Sequence, residues 1–121
     1  EVRWVRAGHD PALVYDPSTG AFDELKGQGV PLGLDISFDY DSFHRRIKPG
    51  QIIVIGTDGI WEMHNKAGKM FGKEALMEII RDNHSVSARK IVNTVTKTLE
   101  QFRGAEEQED DITLVVIKMD Q

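Results

Sequence analysis

The order of periodicities along this chain predicts an α+β fold built mainly from antiparallel sheet. Three observations carry it. Alternating or continuously apolar runs fill the first half, with Gly- and Pro-containing turns between them. Helical spacing then takes over from Ala75 to Phe102. A last aliphatic run, Ile112-Thr113-Leu114-Val115-Val116-Ile117, returns to strand character. The order is therefore β-β-β-β-β-α-α-β.

Each element has its own signal. Val2 to Arg6 alternates apolar and charged residues, as a half-buried strand does. Ala12-Leu13-Val14-Tyr15 and Ala21-Phe22-Asp23-Glu24-Leu25 flank Asp16-Pro17-Ser18-Thr19-Gly20, which reads as a hairpin loop. Gly27 to Leu34 is Gly-rich and too irregular for a periodic element. Phe38 to Ile47 alternates, with a phase slip between Tyr40 and Phe43 that a bulge would explain. Lys48-Pro49-Gly50-Gln51 has type II turn chemistry, so it is expected to join Phe38–Ile47 to a strand over Gln51–Thr57 as an antiparallel hairpin. Ala75, Leu76, Ile79 and Ile80 form one helical face, beginning near Gly72. Ala88, Ile91, Val92, Val95, Leu99 and Phe102 form a longer one, capped by Ser85 or Ser87 and ended by Gly104. That stripe is expected to pack on a sheet. A strand over Ile112–Met119 closes the fold.

Composition narrows the function. The chain has 121 residues, a formal charge of −5 and 40% hydrophobic residues, enough for a real core. Net acidity without a basic run argues against nucleic acid, whose backbone demands clustered Lys and Arg. The absence of cysteine removes disulfides and thiolate metal sites and is compatible with a reducing cytoplasm. No apolar run approaches the roughly 20 residues of a membrane span, and no signal-peptide pattern is present. Glu1-Val2-Arg3-Trp4-Val5-Arg6 already reads as a strand, so the chain is expected to be the carboxy-terminal part of a longer domain.

The chemistry concentrates at two strand ends. Thr57-Asp58-Gly59 follows Ile52-Ile53-Val54-Ile55, and Asp110-Asp111 precedes the last aliphatic run. Strands of continuous aliphatics are usually covered on both faces, so a carboxylate at their ends sits where the core opens to water. Two such ends side by side would gather oxygen ligands suited to a hard divalent cation. Taken singly, each cluster has an ordinary explanation: Thr-Asp-Gly is good turn chemistry, and acidic pairs in loops are usually solvated. Adjacent carboxylates repel, however, and a cation relieves that repulsion. His9 is a candidate acid or phosphate contact, although a strand-end histidine bonded to backbone is the commoner role. His44, His64 and His84 lack ligand-like spacing and are expected at the surface. Trp61 is expected in the core, and Asn65-Lys66-Ala67-Gly68-Lys69 reads as a turn.

Ala7-Gly8-His9, Pro31-Leu32-Gly33-Leu34, Thr57-Asp58-Gly59-Ile60-Trp61-Glu62, Asn65, Gly68, Phe71-Gly72 and Asp110-Asp111-Ile112-Thr113 occur in that order. In this the chain resembles the metal-dependent PP2C-type serine/threonine phosphatases, and in particular their bacterial SpoIIE/RsbU-like branch. The resemblance implies an α/β/β/α sandwich of antiparallel sheets, of which residues 1–121 would be the carboxy-terminal portion. It implies two Mn²⁺ or Mg²⁺ ions held mostly by aspartates, and hydrolysis by direct attack of water. Asp58 matches the metal aspartate after a central strand. Asp110 matches the metal aspartate before the last strand, and Asp111 the neighbouring position. The implied partners are a phosphoprotein substrate resembling an anti-anti-sigma factor and an upstream receiver or sensor domain, in a cytoplasmic protein.

The family's earlier metal aspartates have no counterpart here, since Gly8-His9-Asp10 belongs to a later motif. The fragment alone is therefore expected to be inactive, and its open edges are expected to pair it into a dimer. A non-catalytic interaction module with the same fold is the alternative reading.

Overall fold

A computed structural model describes residues 1–120. Its elements are β1 (Val2–Trp4), β2 (Ala12–Asp16), β3 (Ala21–Leu25), β4 (Phe43–Arg45), β5 (Ile52–Gly56), α1 (Asp58–Trp61), α2 (Lys73–Asp82), α3 (Ala88–Arg103) and β6 (Leu114–Lys118). β3, β2, β5 and β6 form a four-stranded antiparallel sheet in that spatial order, and β1 pairs with β4 apart from it. The α+β class with antiparallel sheets is as expected.

The pleat sorts side chains to two faces of the large sheet. Leu13, Tyr15, Ile52, Val54, Leu114 and Val116 point toward α2 and α3, where Leu76, Ile80, Ile91, Val95 and Leu99 complete the main core. Val14, Leu25 and Ile53 face the other way, under Val2, Trp4 and Ile47. The layers are thus helices, four-stranded sheet and a small two-stranded sheet. Toward β6 the second face is open: Ile55, Val115 and Ile117 are each more than a third exposed, beside a cavity of about 290 Å³.

The longer helix matches its stripe. The Ser87 hydroxyl, rather than Ser85, caps α3 by accepting the Lys90 N–H at 3.2 Å, and Gly104 follows its end. Trp61 is buried, as its aromatic character predicts. The 65–69 turn forms around the Asn65 side chain, which accepts the Ala67 and Lys69 N–H groups at 3.0 and 2.9 Å.

Several expectations are corrected. Only Phe43–Arg45 of the 38–47 segment is strand, and its partner is β1, with Trp4 opposite Phe43. Phe38 instead ends a tight turn, its N–H donating to the Asp35 carbonyl at 3.3 Å, and residues 39–42 and 46–47 are irregular. The Lys48–Gln51 turn does form: Gln51 N–H donates to the Lys48 carbonyl at 3.1 Å, and Gly50 has φ +84°. It closes no hairpin. Gly50 N–H donates to Met119 and Met119 N–H returns to Gln51, at 3.1 and 3.0 Å, so the turn hands the chain from the small sheet to a central place beside β6. A central place suits β5, because Ile52, Ile53 and Val54 are all buried. Thr57-Asp58-Gly59 opens the short helix α1, where a turn is expected. His64 and His84 are half-buried, with His84 against the Tyr15 ring, while His44 is exposed.

Gln51 is the buried polar side chain of this core. Its amide oxygen accepts the Lys48 N–H at 2.8 Å, and its amide nitrogen donates to Asp16 at 3.2 Å. Bonds from Ser18, the hydroxyl first and then the backbone N–H, also hold the Asp16 carboxyl below its ordinary range. Gln51→Ala would strand a half-buried N–H, so it is expected to cost about 1–3 kcal/mol, read by urea denaturation. An unchanged midpoint would mean that water replaces the side chain.

Candidate metal centre

The two carboxylate clusters meet because β5 and β6 are neighbours. Their ladder runs from Ile52 opposite Lys118 to Gly56 opposite Leu114. Thr57 extends it by side chain as well as backbone. Its N–H donates to the Thr113 carbonyl at 3.1 Å, and its hydroxyl oxygen accepts the Thr113 N–H at 2.9 Å. The same hydroxyl lies 3.3 Å from the Asp111 carbonyl, to which it donates. One threonine, the residue before Asp58, is therefore tied to the end of the loop that carries Asp110 and Asp111, at Asp111 and Thr113.

Gly59 makes the approach possible. A Cβ there would overlap the Asp111 carbonyl oxygen and stand 3.5 Å from the Asp110 Cβ. Backbone touches backbone at this point, which only glycine permits. Ile60 and Trp61, the next two residues, anchor α1 in the main core. Asp58 is thus held on a short rigid element, with a buried strand before it and buried side chains after it.

The carboxylates open onto two small cavities. Asp58 lines one of about 170 Å³ with Thr57, Gly8, His9 and Asp10. Asp110 lines another of about 50 Å³ with Gly59, Glu62, His64 and Glu109. Among the described residues, Asp58, Asp110 and Asp111 form no ion pair with Lys or Arg. One Asp110 oxygen accepts the Asp111 N–H at 2.8 Å. Asp111 contributes its main chain to the Thr57 contact, and its side chain lines neither cavity. His9 Nδ1 donates to the Asp10 carbonyl at 2.8 Å, the backbone bond expected of it, yet the residue shares the Asp58 cavity.

Asp10 is the residue that spacing does not single out. It sits in the Asp58 cavity, and the Lys73 ammonium lies 3.5 Å from it while also covering the Trp61 ring at 4.7 Å. Only the pairing of β2 with β5 brings Asp10 there, so no local pattern announces it.

The donor chemistry fits a hard cation: carboxylates outnumber the other donors that border the two cavities, and Asp58 and Asp110 themselves have no Lys or Arg partner, although Lys73 pairs with Asp10. The set is partial. Among the described residues, no group of three or more His, Asp or Glu side chains stands close enough to hold a metal by itself.

The sequence model of the family described as Stage II sporulation protein E (SpoIIE) matches residues 1–120. The chain belongs to the SpoIIE family. Phosphoserine phosphatase RsbU of Bacillus subtilis is 27% identical over 115 residues, which is 95% of this chain and 34% of RsbU. Protein IcfG of Synechocystis is 28% identical over 116 residues, 94% of this chain and 18% of IcfG. The SpoIIE-family chain therefore spans about a third of the length of RsbU and under a fifth of that of IcfG. Its backbone follows the SiaA-PP2C domain of Pseudomonas aeruginosa with a TM-score of 0.78 at 24% identity, covering 93% of this chain and 44% of that domain. The PP2C phosphatase domain of Bacillus subtilis SpoIIE, with a fragment of its regulatory domain, gives a TM-score of 0.72 at 18% identity, over 98% of this chain and 34% of that one. The fold is that of PP2C domains.

Two substitutions test the junction. Gly59→Ala is expected to lower stability by about 1–3 kcal/mol through overpacking. Thr57→Val should cost about 0.5–1.5 kcal/mol, the net worth of the solvent-edge bond to the Thr113 N–H, and Thr57→Ser should keep most of that stability. Thermal melts of all three would check this, and equal melting of Val and Ser variants would remove the hydroxyl from the account.

Proposed function

We propose that this chain contributes Asp58 and Asp110 to the metal centre of a phosphoserine/phosphothreonine protein phosphatase, with Asp111 in a supporting place. The observation behind this reading is the Gly59 junction, which sets the two aspartate-bearing segments in backbone contact. Family membership supports it, as does the name of the relative RsbU, a phosphoserine phosphatase. The structure of a SpoIIE phosphatase domain presoaked with Mn supports the choice of metal.

Asp58 and Asp110 would hold Mn²⁺ or Mg²⁺, two ions in the complete domain, and the remaining ligands would come from outside these residues. When bound, such ions acidify water and neutralise charge on a phosphoryl group. Thr57 and Gly59 fix where the two carboxylates stand. His9 and Asp10 border Asp58, and the Lys73 ammonium offsets part of the negative charge there. The phosphoprotein substrate is taken to be a small regulatory protein resembling an anti-anti-sigma factor. The setting is cytoplasmic signalling, with a receiver or sensor domain in the same protein. Among the described residues, no helix is long and apolar enough to cross a membrane.

One observation favours a second reading, a non-catalytic module with the same fold: the partial donor set. A single experiment separates them. In the full-length protein, Mn²⁺-dependent release of phosphate from a phosphoserine protein is expected, and Asp58→Asn or Asp110→Asn should reduce it to the metal-free level. Residues 1–121 alone should be inactive. An inactive full-length protein would support the interaction module. Turnover by residues 1–121 alone, lost in Asp58→Asn, would mean that the site is complete within them.

A further inference from the structure

The segment between β3 and β4 holds three large apolar side chains in water. Leu32 is 79% exposed, Leu34 70% and Ile36 105%. Each forgoes the stabilisation that burial of such a side chain brings. The backbone beneath them is nevertheless built in detail. Leu34 N–H donates to the Pro31 carbonyl at 3.2 Å and Gly33 has φ +84°, a type II turn with Leu32 at its apex. Asp35 to Phe38 forms a second turn with Ile36 at its apex. There the Asp35 carboxylate accepts the Ser37 N–H at 2.9 Å and the Ser37 hydroxyl at 2.7 Å. The Tyr40 hydroxyl donates to the Val30 carbonyl at 2.6 Å and closes the loop from below.

Position separates this patch from the fold's own open face. Ile55, Val115 and Ile117 lie on the large sheet beside the second core cluster, where a further layer of the same fold would continue the packing. Leu32, Leu34 and Ile36 belong to neither core cluster. The loop that carries them starts beside the candidate metal centre instead, at Pro31. Pro31 packs on Gly8, where an added Cβ would stand 2.6 Å from the proline ring, and Gly8 lines the cavity of Asp58. Asp35, Asp39 and Asp41 are interspersed along the same loop, and the Ser37 hydroxyl and N–H hold the Asp35 carboxyl below its ordinary range. The surface is therefore apolar knobs among fixed negative charge.

We propose that Leu32, Leu34 and Ile36 form the docking surface for the folded phosphoprotein substrate, which meets them with an apolar patch rimmed by Lys or Arg near its phosphoserine. The proposal rests on the phosphatase reading above and assigns that site its protein-recognition element.

The test uses the full-length protein with Mn²⁺ and two substrates, para-nitrophenyl phosphate and a phosphorylated anti-anti-sigma-factor protein. The triple variant Leu32→Ser, Leu34→Ser, Ile36→Ser is expected to raise KM for the phosphoprotein about tenfold or more, as loss of an apolar anchor does. Its kcat on that substrate, and both constants for para-nitrophenyl phosphate, should stay unchanged. Gly33→Ala keeps all three side chains and meets no neighbouring atom, but strains the turn that aims Leu32; it should raise the same KM alone. An unchanged phosphoprotein KM in the triple variant overturns the proposal. So does an equal loss on both substrates, which would make the loop part of the domain's own packing. If the unsubstituted protein hydrolyses neither substrate, the phosphatase reading fails first and takes the docking surface with it.

Discussion

Thr57 sits where β5 ends and β6 begins, and its backbone and hydroxyl together bond both the N–H and the carbonyl of Thr113. Each such bond is worth about 1 kcal/mol net, too little to fix a site alone. The rigidity comes from what the threonine joins. Behind it, Ile52, Ile53 and Val54 are buried at the centre of the sheet; ahead of it, Ile60 and Trp61 are buried under the helices. The hydroxyl turns two well-packed elements into one corner, and Gly59 lets the Asp110-Asp111 loop close on it. Asp58 and Asp110 inherit their places from that corner, at no cost in buried charge, because the aspartates stand at its solvent edge.

The uncovered part of the sheet runs into the same corner. Ile55 pairs with Val115, and only Gly56 and Thr57 separate Ile55 from Asp58. Any segment that buries Ile55, Val115 and Ile117 therefore also approaches the carboxylates. Under the proposed function, the missing ligands and the missing cover arrive on the same piece of structure. Completion of the core and completion of the metal site would then be one event, so metal affinity and stability should rise together.

Legibility followed the range of the interactions. The β2–β3 hairpin and α3 are local, and their turn residues, caps and periodicities stand in the sequence. β5 and β6 were readable as buried strands from their aliphatic runs. The partner of β4 was not, because a Pro-Gly turn looks the same whether it closes a hairpin or carries the chain between sheets; the bond from Gly50 to Met119, 69 positions away, decides it. α1 escaped notice because four residues are too few for a period, and Ile60 and Trp61 are drawn into it by the core. Of the candidate site, Asp58 and Asp110 were legible as strand-end carboxylates, and the structure sets their segments together. The place of Asp10 and the clamp made by Thr57 depend on long-range pairing and left no trace in local spacing.

The central claim is that Asp58 and Asp110 serve one divalent-metal centre. Crystals of the full-length protein grown with Mn²⁺ would test it most directly, by anomalous diffraction at the manganese edge. The account predicts peaks within roughly 2.0–2.3 Å, the range of hard-cation bonds to oxygen, of carboxylate oxygens from both Asp58 and Asp110. Manganese bound elsewhere, or at this corner without either aspartate as a ligand, would contradict it.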